Sequence, residues 1–418
     1  MRRWGAPFVL VLIGLLGSGR ARADSVTDAN ALLLEVIRTT RPAAPRAARL
    51  IAMMNVAVFD SANAAAGLPF QPYSYDGMAV RQADPATAAA AAAVGVVLGF
   101  FPDLKTSAPD LAARIAALVP SPGNTAAVDL GRACADAVLA ARAGDGADKA
   151  DGSFPGMTRM GVWRPTPPAR SPAVLPNWGK VRPFAIPSAT TFAPPPPPAV
   201  GSMDWIDSFN AVKSVGSTTG ASHTDDLGEI ARFWADDDGT ETPPGHWIAI
   251  ALDIVAQRQL GVVENARLFA LLGTALADSA VTTWAAKYRY ASWRPVTAIR
   301  DANQNPNPRI VGDPDWTPVL TTPAFPEYPS GHSTFSAAAA VILATVLGTD
   351  AIAIDATSRG AGMAGIKHHF DRLSDAAEEA GLSRIYAGIH FYFSHVAGAE
   401  SGRKIAESIL STRMLPAR

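Results

Sequence analysis

Glu327-Tyr-Pro-Ser-Gly-His-Ser-Thr-Phe-Ser336 leads directly into Ala337-Ala-Ala-Ala-Val-Ile-Leu-Ala-Thr-Val-Leu-Gly348. A proline and a serine stand before Gly331 and His332, and an alanine-rich apolar run follows. That order is a loop entering a helix, with Ser330 near the cap and His332 in the first turn. A helix start presents unpaired backbone N–H groups and the positive end of the dipole, which suits a bound oxyanion. A histidine at that place sets a proton donor or acceptor beside the anion. Taken alone, the stretch also fits an ordinary capped helix with an incidental histidine.

The same alanine-rich grammar recurs at Ala88–Ala93, and alanine favours helix over strand. The chain has 418 residues, 48% hydrophobic and 17% charged, which describes a globular protein with a substantial core. We expect an all-α fold of packed helical bundles. A net charge of −1 with a pI near 6.7 points away from a nucleic-acid partner, so an anion site must be a local cluster of cations. Nothing in the composition specifies an oligomeric state.

The N-terminus reads as a secretory signal. Arg2 and Arg3 precede the apolar segment Pro7 to Leu16, and Ala21-Arg-Ala23 offers a small-x-small cleavage site before Asp24. The expected protein is therefore secreted or periplasmic, with residues 1–23 removed and residues 24–418 a single helical domain. Its catalytic core is expected at about 245–412. The apolar part is too short to span a bilayer, and no later segment reads as a membrane span; Ala88–Phe101 reads as a buried helix. The lone Cys134 permits no internal disulfide and reads as a buried thiol.

Along the mature chain, helical pattern covers 32–39, 43–66, 88–101, 108–118, 125–142, 204–215 and 225–234. Beyond them the expected helices are His246–Leu260, Val263–Trp293, Ala337–Gly348, Ala351–Ala364, Leu373–Tyr386 and Phe393–Thr412. Residues 143–202 differ, with many prolines, the run Pro194–Pro198, and Trp163, Trp178 and Phe184 interspersed. The aromatics predict an extended segment packed over the helices rather than a free linker. Asp236-Asp-Asp-Gly239 reads as a solvated loop.

Two further elements carry charge. Lys287 and Arg294 are seven residues apart, about two turns, so a continuous helix puts both near one face at its C-terminal end. Arg384 and His390 are six apart, which in an unbroken helix places them on different faces. Gly388 lies between them and is a natural terminator; a turn there lets the two converge.

The ordered triple Lys287-x6-Arg294-Pro295, Pro329-Ser-Gly-His332 and Ser383-Arg384-x3-Gly388-x-His390 resembles the signature of the phosphatidic acid phosphatase type 2 / vanadium-dependent haloperoxidase superfamily. Its surroundings resemble the haloperoxidase side: Trp284-x2-Lys-Tyr-x-Tyr-x2-Trp-Arg-Pro-Val-Thr-Ala-Ile-Arg300, Phe325-Pro-Glu-Tyr-Pro-Ser-Gly-His332 and Ser383-Arg-Ile-Tyr-Ala-Gly-Ile-His-Phe391. Asn55-Val-Ala-Val-Phe-Asp-Ser-Ala-Asn63 and Phe233-Trp-Ala-Asp-Asp237 look like the secreted bacterial members.

The resemblance implies that Lys287, Arg294 and Arg384 surround vanadate or phosphate, with Ser330 and the Gly331 N–H adding hydrogen bonds. It implies that His390 binds the vanadium of the oxyanion through one ring nitrogen, or attacks phosphorus in a phosphatase. His332 becomes the acid–base group, with a pKa lowered by neighbouring cations. Trp284 and Phe325 are candidates for a halide pocket, and Asp237 for a residue orienting a motif arginine, Arg294 being the expected partner. Many family members carry an aspartate four residues after the histidine; here Ser394 stands there, and it can orient the ring without supplying charge. His223, His246, His368, His369 and His395 are read as structural or surface residues.

The implied activity is oxidation of a halide by hydrogen peroxide with transfer to an organic acceptor. Two alternatives stay open. One is a secreted acid phosphatase acting on a phosphate ester through a phosphohistidine, and the other a non-catalytic oxyanion-binding helical protein.

Overall fold

A computed structural model describes residues 24–120, 124–304 and 307–417. The expected signal peptide, residues 1–23, lies outside the described residues. The helices are Ser25–Thr40 (α1), Ala44–Ala65 (α2), Pro85–Phe100 (α3), Leu104–Ser107 (α4), Pro109–Ala116 (α5), Thr125–Arg142 (α6), Met203–Val215 (α7), Asp225–Phe233 (α8), Thr242–Val255 (α9), Val262–Tyr290 (α10), Pro295–Arg300 (α11), Gly331–Leu347 (α12), Leu373–Tyr386 (α13) and Tyr392–Thr412 (α14). The fold is mostly helical, as the alanine-rich patterning predicts.

α10 is the axis. Its 29 residues extend roughly 43 Å at 1.5 Å per residue. α2 packs along one side and α12 along another, while α3 and α6 lean on α2, and α13 and α14 on α12. A helix apolar nearly all round is one surrounded by others. Among the described residues α10 alone is long and apolar enough to cross a membrane, and 94% of its apolar window is buried inside the fold. A second apolar cluster around Trp205, Trp293, Trp316 and Phe391 packs where α7, α11 and the start of α14 meet. Trp284, in the last turns of α10, belongs to the main core, and Trp293, just beyond its end, to this second cluster.

The proline-rich segment behaves as the aromatics predict. Trp163, Trp178 and Phe184 are buried. The segment is tied down by buried polar groups on α10 and beside α12. Asp278, with 0% exposure, accepts from the consecutive backbone N–H groups of Phe184, Ala185 and Ile186 at 2.6, 2.8 and 2.9 Å. The Tyr288 hydroxyl donates to the Val174 carbonyl, and those of Tyr290 and Tyr328 to the carbonyls of Pro194 and Pro195. A chain without ladder partners thus finds its acceptors and donors in side chains.

Two expectations are corrected. α10 does not run to Trp293: it stops at Tyr290, with Ala291 in the left-handed region at φ 49°. The strap competes for the backbone there, since the Trp163 N–H bonds to the Ala291 carbonyl and Ser292 pairs with Val162. Arg294 becomes the extended cap of α11 rather than a residue on the face of α10. The expected helix Ala351–Ala364 is instead a strand, Ile354–Thr357 (β1), paired antiparallel with Lys367–Phe370 (β2), Ile354 opposite Phe370. Alternating burial along β1 and three glycines before β2, two at positive φ (Gly362 and Gly365), outweigh the alanine content.

Asp278→Ala leaves three buried N–H groups without an acceptor. The expected loss is at least about 3 kcal/mol, at roughly 1 kcal/mol or more per orphaned donor, read as a drop in the urea unfolding midpoint. A midpoint equal to wild type would show that the carboxylate does not clamp the strap.

Candidate active site

The first wall is the start of α12. Ser330 is the N-cap in extended conformation (φ −71°, ψ 121°), and its Oγ accepts from the Ser333 N–H and Oγ–H at 3.4 and 2.9 Å. Gly331 and His332 follow as the first helical residues. A Cβ on Gly331 would meet Phe335 and Trp284 at 3.8 Å, which is ordinary contact. The protein's own packing therefore does not demand glycine here. A side chain would fill the cavity in front of the helix start.

The second wall is the end of α13. The helix stops at Tyr386, and Gly388 turns the chain at φ 76°, where a Cβ would strike the Gly216 carbonyl at 2.1 Å. The N–H groups of Ile389 and His390 both return to the Arg384 carbonyl, at 3.1 and 3.2 Å. Arg384 and His390 thus sit together despite their six-residue separation, by the turn that Gly388 suggests.

Behind these walls lie Lys287 and Arg294, both 0% exposed. Arg294 donates through Nε to the Phe325 carbonyl at 2.9 Å and through Nη1 to the Ile389 carbonyl at 2.8 Å. Its Nη1 also stands 3.1 Å from His390 Nε2. An arginine can only donate, so His390 Nε2 carries its lone pair and Nδ1 the proton. Lys287 spends its three donors on the carbonyls of Pro326, Glu327 and Pro329, at 3.1, 2.9 and 2.6 Å. Its expected place among the oxyanion donors is thus, in this geometry, a place among loop carbonyls. Burial and then the nearby Arg294 lower its pKa well below the ordinary lysine range.

Between the walls is a cavity of about 530 Å³, lined among others by Gly331, His332, Arg384, His390, Trp284 and Phe325. Three buried nitrogens of this cluster lack a protein partner: Arg294 Nη2, Arg384 Nε and His332 Nε2. The two guanidinium nitrogens are buried donors left open, which call for an acceptor, while Nε2 of a neutral His332 ring is open as an acceptor. Burial pushes the Arg384 guanidinium down to about 10 and Arg294 to about 9, with Asp236 and Asp237 opposing at the first and Glu327 at the second. Both stay cationic at neutral pH. The His390 ring is held well below its ordinary value by burial and then by Arg294. The indole of Trp284 and the ring of Phe325 meet at 5.0 Å between centroids, and Phe325 lies under Lys287 Nζ at 5.1 Å and Arg294 Cζ at 4.9 Å. The two rings form an apolar, polarisable side of the cavity.

Three expectations change. Asp237 faces Arg384 rather than Arg294, and this charge pulls against the burial that raises its pKa. The Asp236-Asp-Asp-Gly239 loop is not fully solvated: the Asp236 side chain is 4% exposed, bonds His246 Nδ1 at 3.0 Å and stands 3.8 Å from His332 Nε2. Ser394 is not the hydrogen-bond partner of the His390 ring; its hydroxyl donates to Glu327 Oε2 at 2.7 Å. Glu327 Oε1 instead accepts from His390 Nδ1 at 2.8 Å. Glu327, between Pro326 and Pro329 in the loop before α12, is a residue of the site that local sequence pattern does not single out. The other histidines lie in separate contacts. His395 is buried against Ser333 and Glu378, His368 pairs with Glu379, and His369 with Asp355.

The C-terminal part, residues 267–415, matches a family model described as the VCPO second helical-bundle domain. Vanadium chloroperoxidase of Curvularia inaequalis is 27% identical over 223 residues, 40% of this chain and 36% of that protein, so the match spans about a third of the relative's length. A bacterial vanadium-dependent iodoperoxidase superposes with a TM-score of 0.77 at 25% identity, covering 94% of this chain and 97% of the other. A holo bacterial vanadium-dependent chloroperoxidase shares the fold at a TM-score of 0.65 and 18% identity, covering 89% and 96%.

His332 offers a test of the electrostatics. Burial and then Arg384 hold its imidazole well below the ordinary 6.5. Below pH 6.5 the folded state then binds fewer protons here than the unfolded chain, so stability from the neutral ring is complete above 6.5 and lost as the pH falls. Compared with His332→Gln, wild type should lose up to about 1.4 kcal/mol of unfolding free energy per pH unit below 6.5. Parallel pH dependence in the two proteins would mean that the ring is not held neutral.

Proposed function

We propose that this chain, a relative of the vanadium-dependent haloperoxidases, holds vanadate in the cavity between α12 and the turn after α13 and oxidises a halide with hydrogen peroxide. The observation that carries the reading is the convergence of open nitrogens on Arg294, Arg384 and His332 around His390, whose Nε2 bears a lone pair. The two guanidinium donors, with a glycine N–H at a helix start, fit an oxyanion, a neutral imidazole at His390 fits the metal within it, and the open nitrogen of His332 is free to accept a proton. The same residues accept phosphate, so the anion-binding chemistry is shared.

Arg384 Nε and Arg294 Nη2 would hold oxygens of the anion, helped by the Gly331 N–H and the Ser330 hydroxyl. Lys287 would add charge from behind, and His390 would ligate the metal. Vanadate, when bound, supplies a Lewis-acidic centre that polarises peroxide without changing oxidation state. His332, neutral and beside the cavity, takes a proton from peroxide and returns it to a leaving oxygen. Trp284 and Phe325 form the apolar side against which a halide is desolvated, and an organic acceptor takes up the oxidised halogen. Export through the N-terminal segment would deliver the enzyme to the periplasm or outside the cell.

Protein loaded with vanadate should oxidise iodide or bromide when given peroxide, and His390→Ala should lower that turnover by at least about a hundredfold. The same preparation, free of vanadate, should hydrolyse phosphate esters poorly. Vigorous phosphatase turnover with no halide oxidation would replace this reading with a secreted phosphomonoesterase using His390 as nucleophile.

A further inference from the structure

We infer that Glu327 is the positioning residue of His390: the loop carboxylate fixes the ring's tautomer and orientation, a duty that position 394 does not perform in this chain. Glu327 is 0% exposed. Its Oε1 accepts from both His390 Nδ1 and the Phe391 N–H, at 2.8 and 3.0 Å, and its Oε2 from Ser394 Oγ at 2.7 Å. Both oxygens are thus anchored, and the plane of the carboxylate cannot turn. The backbone is held as firmly, with the Glu327 N–H on the Ser292 carbonyl at 2.9 Å and its own carbonyl on Lys287 Nζ at 2.9 Å.

The consequence for His390 is specific. An acceptor at Nδ1 places the ring proton there and leaves a lone pair at Nε2, which stands 3.1 Å from Arg294 Nη1. The other tautomer would aim an N–H at a guanidinium and offer nothing to a metal. A carboxylate at the far nitrogen also makes the near nitrogen a stronger ligand. Ser394 acts one step further back, holding the carboxylate rather than the ring.

The origin of the carboxylate matters as well. Glu327 belongs to the loop that ends in Ser330 and Gly331, not to the helix that follows His390. Movement of residues 326–329 would shift the ring's partner and the oxyanion donors at the start of α12 together. One loop therefore sets two walls of the site.

The inference uses the proposed function only in taking His390 as the anion's ligand, and the experiment separates the two. In wild-type protein without added anion, 15N shifts of the His390 ring should report the Nδ1–H tautomer. Glu327→Ala should give mixed tautomers and bind inorganic vanadate about ten- to hundredfold more weakly by calorimetry. Aspartate at 394, one atom longer than serine, reaches toward the space that Glu327 leaves. Glu327→Ala/Ser394→Asp should therefore recover the tautomer and much of the affinity. Glu327→Gln keeps the shape and an acceptor oxygen but removes the charge; it should fold, keep the tautomer and bind vanadate several-fold more weakly.

An unchanged tautomer in Glu327→Ala overturns the inference, as does wild-type vanadate affinity in Glu327→Gln should the alanine variant not fold. A wild type that binds inorganic phosphate but not vanadate defeats the proposed function alone. The ring tautomer still decides the role of Glu327.

Discussion

A lysine ammonium sealed from solvent, with its three N–H bonds on the carbonyls of Pro326, Glu327 and Pro329, is the constraint on which the rest depends. Removing an ammonium from water costs several kcal/mol unless its donors are met. Three carbonyls converging on one nitrogen are met only if the loop curls around the end of α10. That curl turns the Glu327 side chain to His390, the Phe325 ring under two cations, and Ser330 into the cap of α12. The position of Lys287 in the last turn of α10 thus determines where the second helix of the site begins. The turn before it carries Trp284, so the apolar and charged sides of the cavity share one rigid support.

Charge balance explains why the cavity suits an anion. Lys287, Arg294 and Arg384 are buried together, and Glu327 lies inside the group beside Lys287 and Arg294. Asp236 and Asp237 act on Arg384 from the opposite loop. Lys287 is saturated by carbonyls, while the two arginines each keep a nitrogen open. The neutralising groups hold the cations in place without using all their donors. Both imidazoles are pushed toward the neutral form by burial and by these cations. A lone pair at His390 and a proton acceptor at His332 then coexist within a cationic pocket, which isolated histidines near neutral pH would not guarantee.

Much of this was legible in local sequence. Ser330-Gly331-His332 before an alanine run announces a capped helix with its positive end open, and Gly388 announces the turn that joins Arg384 to His390. The strap of 143–202 was legible through its buried aromatics. What local pattern could not supply was competition between distant segments. Arg294 leaves α10 because Val162 and Trp163 claim the backbone at 291–292. Residues 354–357 form a strand because 367–370 lie alongside. Asp236 reads as part of a solvated loop and Glu327 carries no local signal; each becomes a buried partner only when a histidine distant in sequence arrives beside it. A carboxylate's environment is a tertiary property, and no periodicity reports it.

The backbone around the cavity carries a further sign of compromise. Asp236 and Thr242 both adopt positive φ, at 49° and 64°. For threonine, β-branched, that region is strained, and nothing in the helix start of α9 requires it. Its hydroxyl is buried without a partner, and the residue lines the cavity together with Asp236, Asp237 and Asp238. Strain of this kind persists only where the surroundings over-determine it. Here the determinants are visible: Asp236 is bonded to His246, His246 is stacked on Trp234 at 4.6 Å, and the Trp234 carbonyl accepts from Arg384. The loop is bent between an aromatic stack and a motif arginine. That chain of contacts joins His246 to Arg384 through Trp234 and sets Asp236 beside His332.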